Sequence, residues 1–255
     1  MSLRAASNTD PGKVRHHNED RIFVDCELGL LVVADGMGGH QGGETASAIA
    51  VTTISSNLRE GIARGDSPDS LIRSSIQRAD LEIRRQATEN PDLRGMGTTL
   101  VLAICGAEGI LLAHVGDSRA YLLHAGQLSR LTEDHSLIEQ MIRRGEITQR
   151  EARHHRLRSI VTRSLGNQAD AEPEVQRVPW SPGDYLLLCS DGLSNMLDPP
   201  LLRQLVVQGG DDLSRTCNRL VEAANRKGGT DNISVILARS EGTMEDSGEE
   251  SCRDC

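Results

Sequence analysis

Aromatic side chains are nearly absent from this 255-residue chain: Phe23, Tyr121, Trp180 and Tyr185 together make up only 2% of it. The core must therefore be aliphatic, and binding of single-stranded nucleic acid, which leans on aromatic stacking platforms, is disfavoured. Lysine is almost as scarce. Only Lys13 and Lys227 occur and no GxxxxGK[ST] loop exists, so a P-loop nucleotide site is excluded. A net charge of −9 argues against general affinity for nucleic-acid backbones or anionic membranes. No apolar run approaches transmembrane length, and the N-terminal MSLRAASNTDPGK lacks a signal-peptide core, so a cytoplasmic location is expected. The six cysteines are scattered. Cys26, Cys105 and Cys189 lie in or beside strand-like runs and read as small buried thiols. Cys252 and Cys255 have redox or half-zinc spacing but no second pair.

The chain does have a repeated device. Leu28 to Ala34 is an unbroken apolar run, short enough for a buried strand, and it ends on Asp35 and a glycine-rich loop. Beyond the loop, Glu44 to Leu58 reads as a helix with Ala46, Ile49, Ala50 and Thr53 along one face. Asp117 follows the apolar run Ile110 to Val115, Asp191 follows Tyr185 to Ser190, and Asp231 precedes Ile233 to Leu237. Asp20 closes Asn18-Glu19-Asp20 early in the chain. Several aspartates thus stand at strand ends, each beside glycine or asparagine. Brought together without cations they could not all stay ionised, because like charges raise one another's pKa. Hard divalent ions with oxygen-rich shells resolve that repulsion. A solvated turn aspartate is the alternative for any one of them.

Six motifs occur in order over residues 3–238: Arg15-x-x-Asn18-Glu19-Asp20, Asp35-Gly36-Met37-Gly38-Gly39-His40, Gly97-Thr98-Thr99, Gly116-Asp117-Ser118-Arg119, Ser190-Asp191-Gly192 and Gly229-Thr230-Asp231-Asn232. In these the chain resembles the bacterial metal-dependent Ser/Thr protein phosphatases of the type 2C (PPM) family. The resemblance implies hydrolysis of phosphoserine and phosphothreonine in proteins by a water activated between two tightly bound Mn2+ or Mg2+ ions. Asp35, the carbonyl of Gly36, Asp191 and Asp231 would be the protein ligands. Glu19 and Asp20 would hold waters on the ions, with Asn232 and Ser159 as further supports. Arg15 would orient the phosphoryl group, for which its forked guanidinium is suited. Bacterial members place a third, weaker ion at the position of Asp117, shared with that of Asp191. The alternative for Asp117 is a hairpin cap. Met37 stands where the animal form carries a histidine that protonates the leaving group, so His40 or a coordinated water takes that part. No cysteine begins a C-x5-R loop, which leaves a thiolate phosphoenzyme route without a nucleophile. A silent phosphoprotein-binding domain would be expected to lose acids, and a simple metal-binding protein would leave Arg15 unexplained. Phosphorylated proteins are the implied substrates and a Ser/Thr kinase the counterpart, with the chain acting as a monomer.

The pattern of many strands in antiparallel runs and helices in pairs argues an α+β fold. The resemblance sharpens it to a four-layer αββα sandwich, two antiparallel sheets flanked by helix pairs, over residues 1–239. Two short strands flank the Thr9-Asp10-Pro11-Gly12 turn. Ser67 and Pro68 start a helix whose Ile72, Ile76, Ala79 and Ile83 form one face. Residues 98–105, 109–115 and 119–123 read as successive strands of one antiparallel sheet. Strands are also expected at 127–131, 173–179, 185–190 and 233–239, and helices at 199–207 and 213–226. Residues 134–166 match the family's flap; Leu137, Ile138, Met141 and Ile142 form a short helix there, and Thr148 and Glu151 a capping box. The flap departs from common members at Arg156 and Ser159. His16, His17, His154 and His155 read as exposed. From Ser240 the acidic, polar composition predicts a disordered tail, 240–255.

Overall fold

Strands that read as unbroken apolar runs must bury both faces, and the structure shows what covers each. It is a computed structural model describing residues 2–38, 41–152, 155–167 and 171–241. In β3 (Leu30–Met37), Leu30, Val32 and Ala34 face one core while Leu31 and Val33 face another. The first core is closed by α1 (Gly42–Ala63) and α2 (Pro68–Glu89), the second by the other sheet. In β10 (Tyr185–Cys189), Leu186 and Leu188 join the inter-sheet core. Leu187 and Cys189 instead meet α6 (Pro199–Gly209) and α7 (Leu213–Arg226). Two-residue side-chain alternation thus partitions a continuous apolar strand between two interfaces. Three apolar layers make the expected four-layer αββα sandwich.

One sheet runs β1 (Ser2–Asp10), β11 (Ile233–Glu241), β10, β7 (Arg119–His124) and β8 (Gln127–Arg130). The other runs β2 (Asp20–Asp25), β3, β5 (Leu100–Gly106), β6 (Gly109–Val115) and β9 (Glu174–Val178), with the short β4 (Gly97–Thr98) paired to β3. Every pairing is antiparallel. On α2, Ile72, Ile76, Ala79 and Ile83 are all fully buried, as their spacing required. On α1 the buried stripe is Ala46, Ala50, Ile54 and Leu58, so Ile49 and Thr53 lie at its margin. Truncating a residue such as Ile76 to alanine would cost about 2–5 kcal/mol, because its surroundings are packed on both sides.

Three expectations change. Residues 119–123 do not continue the sheet of 109–115; Gly116 to Ser118 carries the chain across the sandwich, and β7 pairs with β10 and β8. Gly116 (φ +105) permits the crossing, since a Cβ there would stand 2.7 Å from that of Thr99. Ser240 and Glu241 belong to β11, not to the tail. Their backbone ladder with Leu3 and Ser2, and an Arg4–Glu241 ion pair at 3.2 Å, outweigh their polar composition. Cys26 is exposed in the turn between β2 and β3, whereas Cys189 is buried and Cys105 intermediate. The rest of the tail, with Cys252 and Cys255, lies outside the described residues.

The flap contains α3 (Leu137–Arg143), N-capped by Ser136, and α4 (Gln149–Ala152). The Thr148–Glu151 capping box forms: Thr148 N–H donates to Glu151 Oε2 at 2.8 Å, and Glu151 N–H to Thr148 Oγ1 at 3.3 Å. The flap's two ends meet where Leu137 N–H donates to Ile160 O and Thr162 N–H to His135 O.

Candidate active site

Antiparallel strands bring remote termini to one end, and the acids collect there. Asp20 opens β2 and pairs directly with Asp35 near the end of β3. Asp117 follows β6, Asp191 begins α5 (Asp191–Ser194) just after β10, and Asp231 lies two residues before β11. A dense polar scaffold holds this end. Thr99 N–H and Thr98 Oγ1–H both donate to the Asp35 carbonyl, at 2.8 and 2.9 Å. Ser190 Oγ donates to Asp20 Oδ2 at 2.8 Å and accepts from Ser234 N–H at 3.0 Å. The Asn232 amide accepts from Glu19 N–H at 2.8 Å and donates to the carbonyls of Pro11 and His17, tying the Arg15 loop to β11. Gly36 lies where three backbone segments converge; a Cβ there would collide with the carbonyl oxygens of Gly43 and Glu19.

Electrostatics follow from this packing. Burial, then repulsion from Asp20, Asp191, Asp117 and Asp231, pushes the Asp35 carboxyl well above the ordinary aspartate range. Burial likewise lifts Asp20 to about 7 and Asp191 to about 6, with Asp231 among the repelling charges in both cases. Asp117 is raised by burial, by Asp191 and by Asp134, against the pull of Arg119. Glu19 is raised by burial, an effect Arg15 opposes.

Cation coordination fits this set. Asp20 Oδ1 is buried without a hydrogen-bond partner, which a buried carboxylate oxygen does not tolerate cheaply. The converging donors are all oxygen, the ligand class of hard divalent ions. Carboxylates that repel one another in this way are relieved by taking up protons or by a bound cation.

The remaining sequence candidates divide. Arg15 is half exposed, with Nη2 2.8 Å from Asp231 Oδ2. Glu19, Asp20 and Asn232 are bonded into the scaffold. Ser159 is exposed in a turn of the flap, with no hydrogen bond to the carboxylates. His40 and His154 lie outside the described residues. His16 and His17 are exposed, as read, and His155 is partly buried. The Asp117 stretch joins two sheets, so the turn it stands in is not a hairpin. Sequence reasoning passed over Asp134 and His135, which pack against the Asp117 segment. Asp134 takes Arg119 in a two-pronged ion pair, at 2.9 Å from Nε and 2.5 Å from Nη2. Both residues belong to an unremarkable polar run, Glu133-Asp134-His135-Ser136, and no local pattern marks them.

Clustered, buried and half-buried carboxylates at the shared end of two stacked sheets define a candidate metal-dependent hydrolase. A family model described as protein phosphatase 2C matches residues 13–237. The serine/threonine phosphatase stp of Listeria monocytogenes is 40% identical over 247 residues, 95% of this chain and 98% of that protein. The crystal structure of the serine/threonine phosphatase PstP/Ppp of Mycobacterium tuberculosis superposes with a TM-score of 0.85 at 33% identity, covering 95% of this chain and 100% of that one. A structure of the PstP catalytic domain with two manganese ions gives 0.84 at 32% identity, covering 94% and 99%. The chain belongs to the protein phosphatase 2C family.

Proposed function

We propose that this chain hydrolyses phosphoserine and phosphothreonine in proteins, with Asp35, the Gly36 carbonyl, Asp191 and Asp231 holding two divalent ions. The observation that carries this reading is the convergence of mutually repelling aspartates, Asp20 and Asp117 buried and Asp35, Asp191 and Asp231 partly buried, with one oxygen of Asp20 left unbonded. Bound manganese or magnesium supplies the Lewis acidity that makes a water nucleophilic at neutral pH. Asp20 and Glu19 orient waters at the site, and Asn232 fixes the loop that carries Glu19. Arg15 reaches the site from an exposed loop, and its fork places the phosphoryl group for in-line attack. Asp117, with Asp191, would hold a third and weaker ion, whose coordinated water would serve as the acid for the leaving group. Its position on the crossover between sheets, within repelling range of Asp191, supports this.

The chain acts as a monomer in the cytoplasm, opposite a Ser/Thr kinase. Its large exposed apolar residues include Val14, Leu81 and Val207 on separate segments, with Leu157 and Ile160 together in one turn of the flap. Among the described residues no helix is long and apolar enough to cross a membrane. The test is hydrolysis of p-nitrophenyl phosphate and of a phosphothreonine peptide with manganese, with magnesium and with excess chelator. Activity must depend on the ion; full turnover in chelator would sink the proposal. Asp117→Ala should slow the peptide more than p-nitrophenyl phosphate, whose leaving group needs little protonation. Equal slowing would remove Asp117 from leaving-group chemistry.

A further inference from the structure

Beside the carboxylate cluster, two buried histidines stack. The rings of His114 and His135 lie 4.7 Å apart with 25° between their planes. With Glu174 their potential ligand atoms fall within 4.8 Å of one another, a spacing that invites a transition metal. The hydrogen bonds argue against one. His114 Nε2 is 2.8 Å from the Glu133 carbonyl, so that nitrogen carries a proton. Gly116 N–H donates to His135 Nδ1 at 3.2 Å, which makes Nδ1 the bare nitrogen and sends Nε2–H toward Glu174 Oε1 at 3.0 Å. A metal on His135 Nε2 would displace that proton while Nδ1 still faced a donor. The Arg163 guanidinium, 3.5 Å from the same Nε2, would repel it as well.

What the ring holds instead is a peptide. His135 N–H donates to the Gly116 carbonyl at 2.9 Å while the ring accepts from the Gly116 N–H, so one residue grips both backbone polar groups of Gly116. The next residue is Asp117. Around this grip, Asp134 takes Arg119 and Thr132 Oγ1 accepts from Ala120 N–H at 3.1 Å. Residues 132–135 thus stitch down residues 116–120, and His135 lands on the residue immediately before the acid. Its carbonyl also accepts from Thr162 N–H at 2.7 Å, joining the far end of the flap to the same point. Burial keeps the ring below the ordinary imidazole range, so its neutral form is the one that accepts.

We propose that His135 is a positioning residue for the phosphatase reaction: its ring, held in the Nε2–H tautomer by Glu174, fixes the Gly116 peptide and so presents the Asp117 carboxylate to the third ion. This rests on the reading of Asp117 as that ion's ligand. The loosest ion is the one whose occupancy depends most on how its few protein ligands are presented.

The test uses the full chain with His135→Ala, His135→Gln and His135→Asn. Asparagine returns an acceptor near the Nδ1 position; glutamine reaches toward Glu174 but offers nothing to Gly116. In the metal-free protein, the alanine and glutamine variants should exchange the Gly116 amide about fivefold faster or more, the effect of losing one net hydrogen bond. They should also raise the manganese concentration for half-maximal peptide hydrolysis roughly 10–100-fold, while calorimetry finds the two tight ions unchanged. His135→Asn should restore both readouts, which a merely structural role would not require. Unchanged exchange in His135→Ala, or His135→Asn as impaired as His135→Ala, would overturn the proposal. Should His135→Ala fail to fold, Glu174→Ala, at a half-exposed position, must shift the same two readouts by a smaller factor; no shift counts against it. Asp117→Asn separates the two ideas: if it leaves manganese dependence unchanged, the third-ion reading fails while Gly116 exchange still decides the role of His135. Inhibition by zinc that His114→Ala abolishes would make the pair a metal site and end the positioning role.

Discussion

Asp117 and Asp134 are equally buried, each 8% exposed, and both feel Arg119, yet their surroundings differ in kind. Asp134 receives Arg119 through two nitrogens and has Arg130 3.7 Å away, so the fold itself supplies its countercharge. Asp117 instead faces Asp191 and Asp134, and burial with their repulsion raises it. The same contrast separates the whole carboxylate end from the rest of the molecule. On α2, Arg85 bridges Glu82 and Glu89, and hydrogen bonding from Arg85 depresses Glu82 to about 2. Asp134 and Glu82 are thus each given an arginine in direct contact, whereas the acids at the sheet ends chiefly face one another, with Arg15 in contact with Asp231 alone.

That contrast can be broken most severely at the acids proposed as metal ligands. Asp35→Asn and Asp191→Asn each remove a charge from the site and should take turnover below detection, measured on p-nitrophenyl phosphate and a phosphopeptide with saturating manganese. Asp20→Asn, one step removed, should cost about 10–100-fold in activity or metal affinity. Near-normal rates in the ligand variants would mean the cluster does not hold the ions.

Removing a structural countercharge should act on stability. Arg119→Met leaves Asp134 buried with only the more distant Arg130, and should destabilise by about 3–5 kcal/mol. Asp117→Asn in the metal-free protein should hold or raise the melting temperature, since it relieves repulsion. Equal losses in both variants would erase the distinction between the two aspartates.

Protons and metal should compete for the cluster. Folded-state pKa values are raised for Asp35, Asp117, Asp20 and Asp191, so between about pH 4 and 7 the folded state binds more protons than the unfolded one. Stability of the metal-free chain should therefore fall as pH rises through that window. Manganese at about 100 times its Kd would restore about 2.7 kcal/mol, roughly 5–10 °C at this size, at pH 7.5 and less at pH 5. Thermal scans with and without ion would show it; a metal effect independent of pH would argue against a proton-loaded cluster.

The smallest effect is expected from the tail. Deleting residues 242–255 removes five acids and one arginine, yet activity and melting temperature should stay within about 1 °C and a factor of two, because a stretch of this polar composition has little apolar surface to bury. A larger drop would show that the acidic surplus of the chain bears on the site.

Much of this was legible before any coordinates. The apolar run Leu28 to Ala34 read as a buried strand, which β3 takes up from Leu30, and the 72/76/79/83 spacing read as a buried helix face, because run length and side-chain periodicity are local properties. Recurrence of aspartate beside glycine or asparagine at strand ends pointed to the site, since one local pattern repeats along the chain. The strand at 119–123 misled: it reads as one more short, largely apolar run after 109–115, and nothing local says which sheet accepts it. Ser240 and Glu241 misled for a related reason, as their place in β11 depends on backbone bonds to residues 2 and 3, at the opposite end of the sequence.

The sequence by itself determined the secondary structure, the aliphatic double-faced strands and which acids stand at strand ends, all of which depend on neighbours within a few residues. Only the tertiary structure decided that β7 crosses to the second sheet, that Asp134 pairs with Arg119, and that His135 grips Gly116. Those contacts join residues brought together by sheet pairing and flap closure, and their energy comes from burial and hydrogen-bond geometry that no linear spacing records.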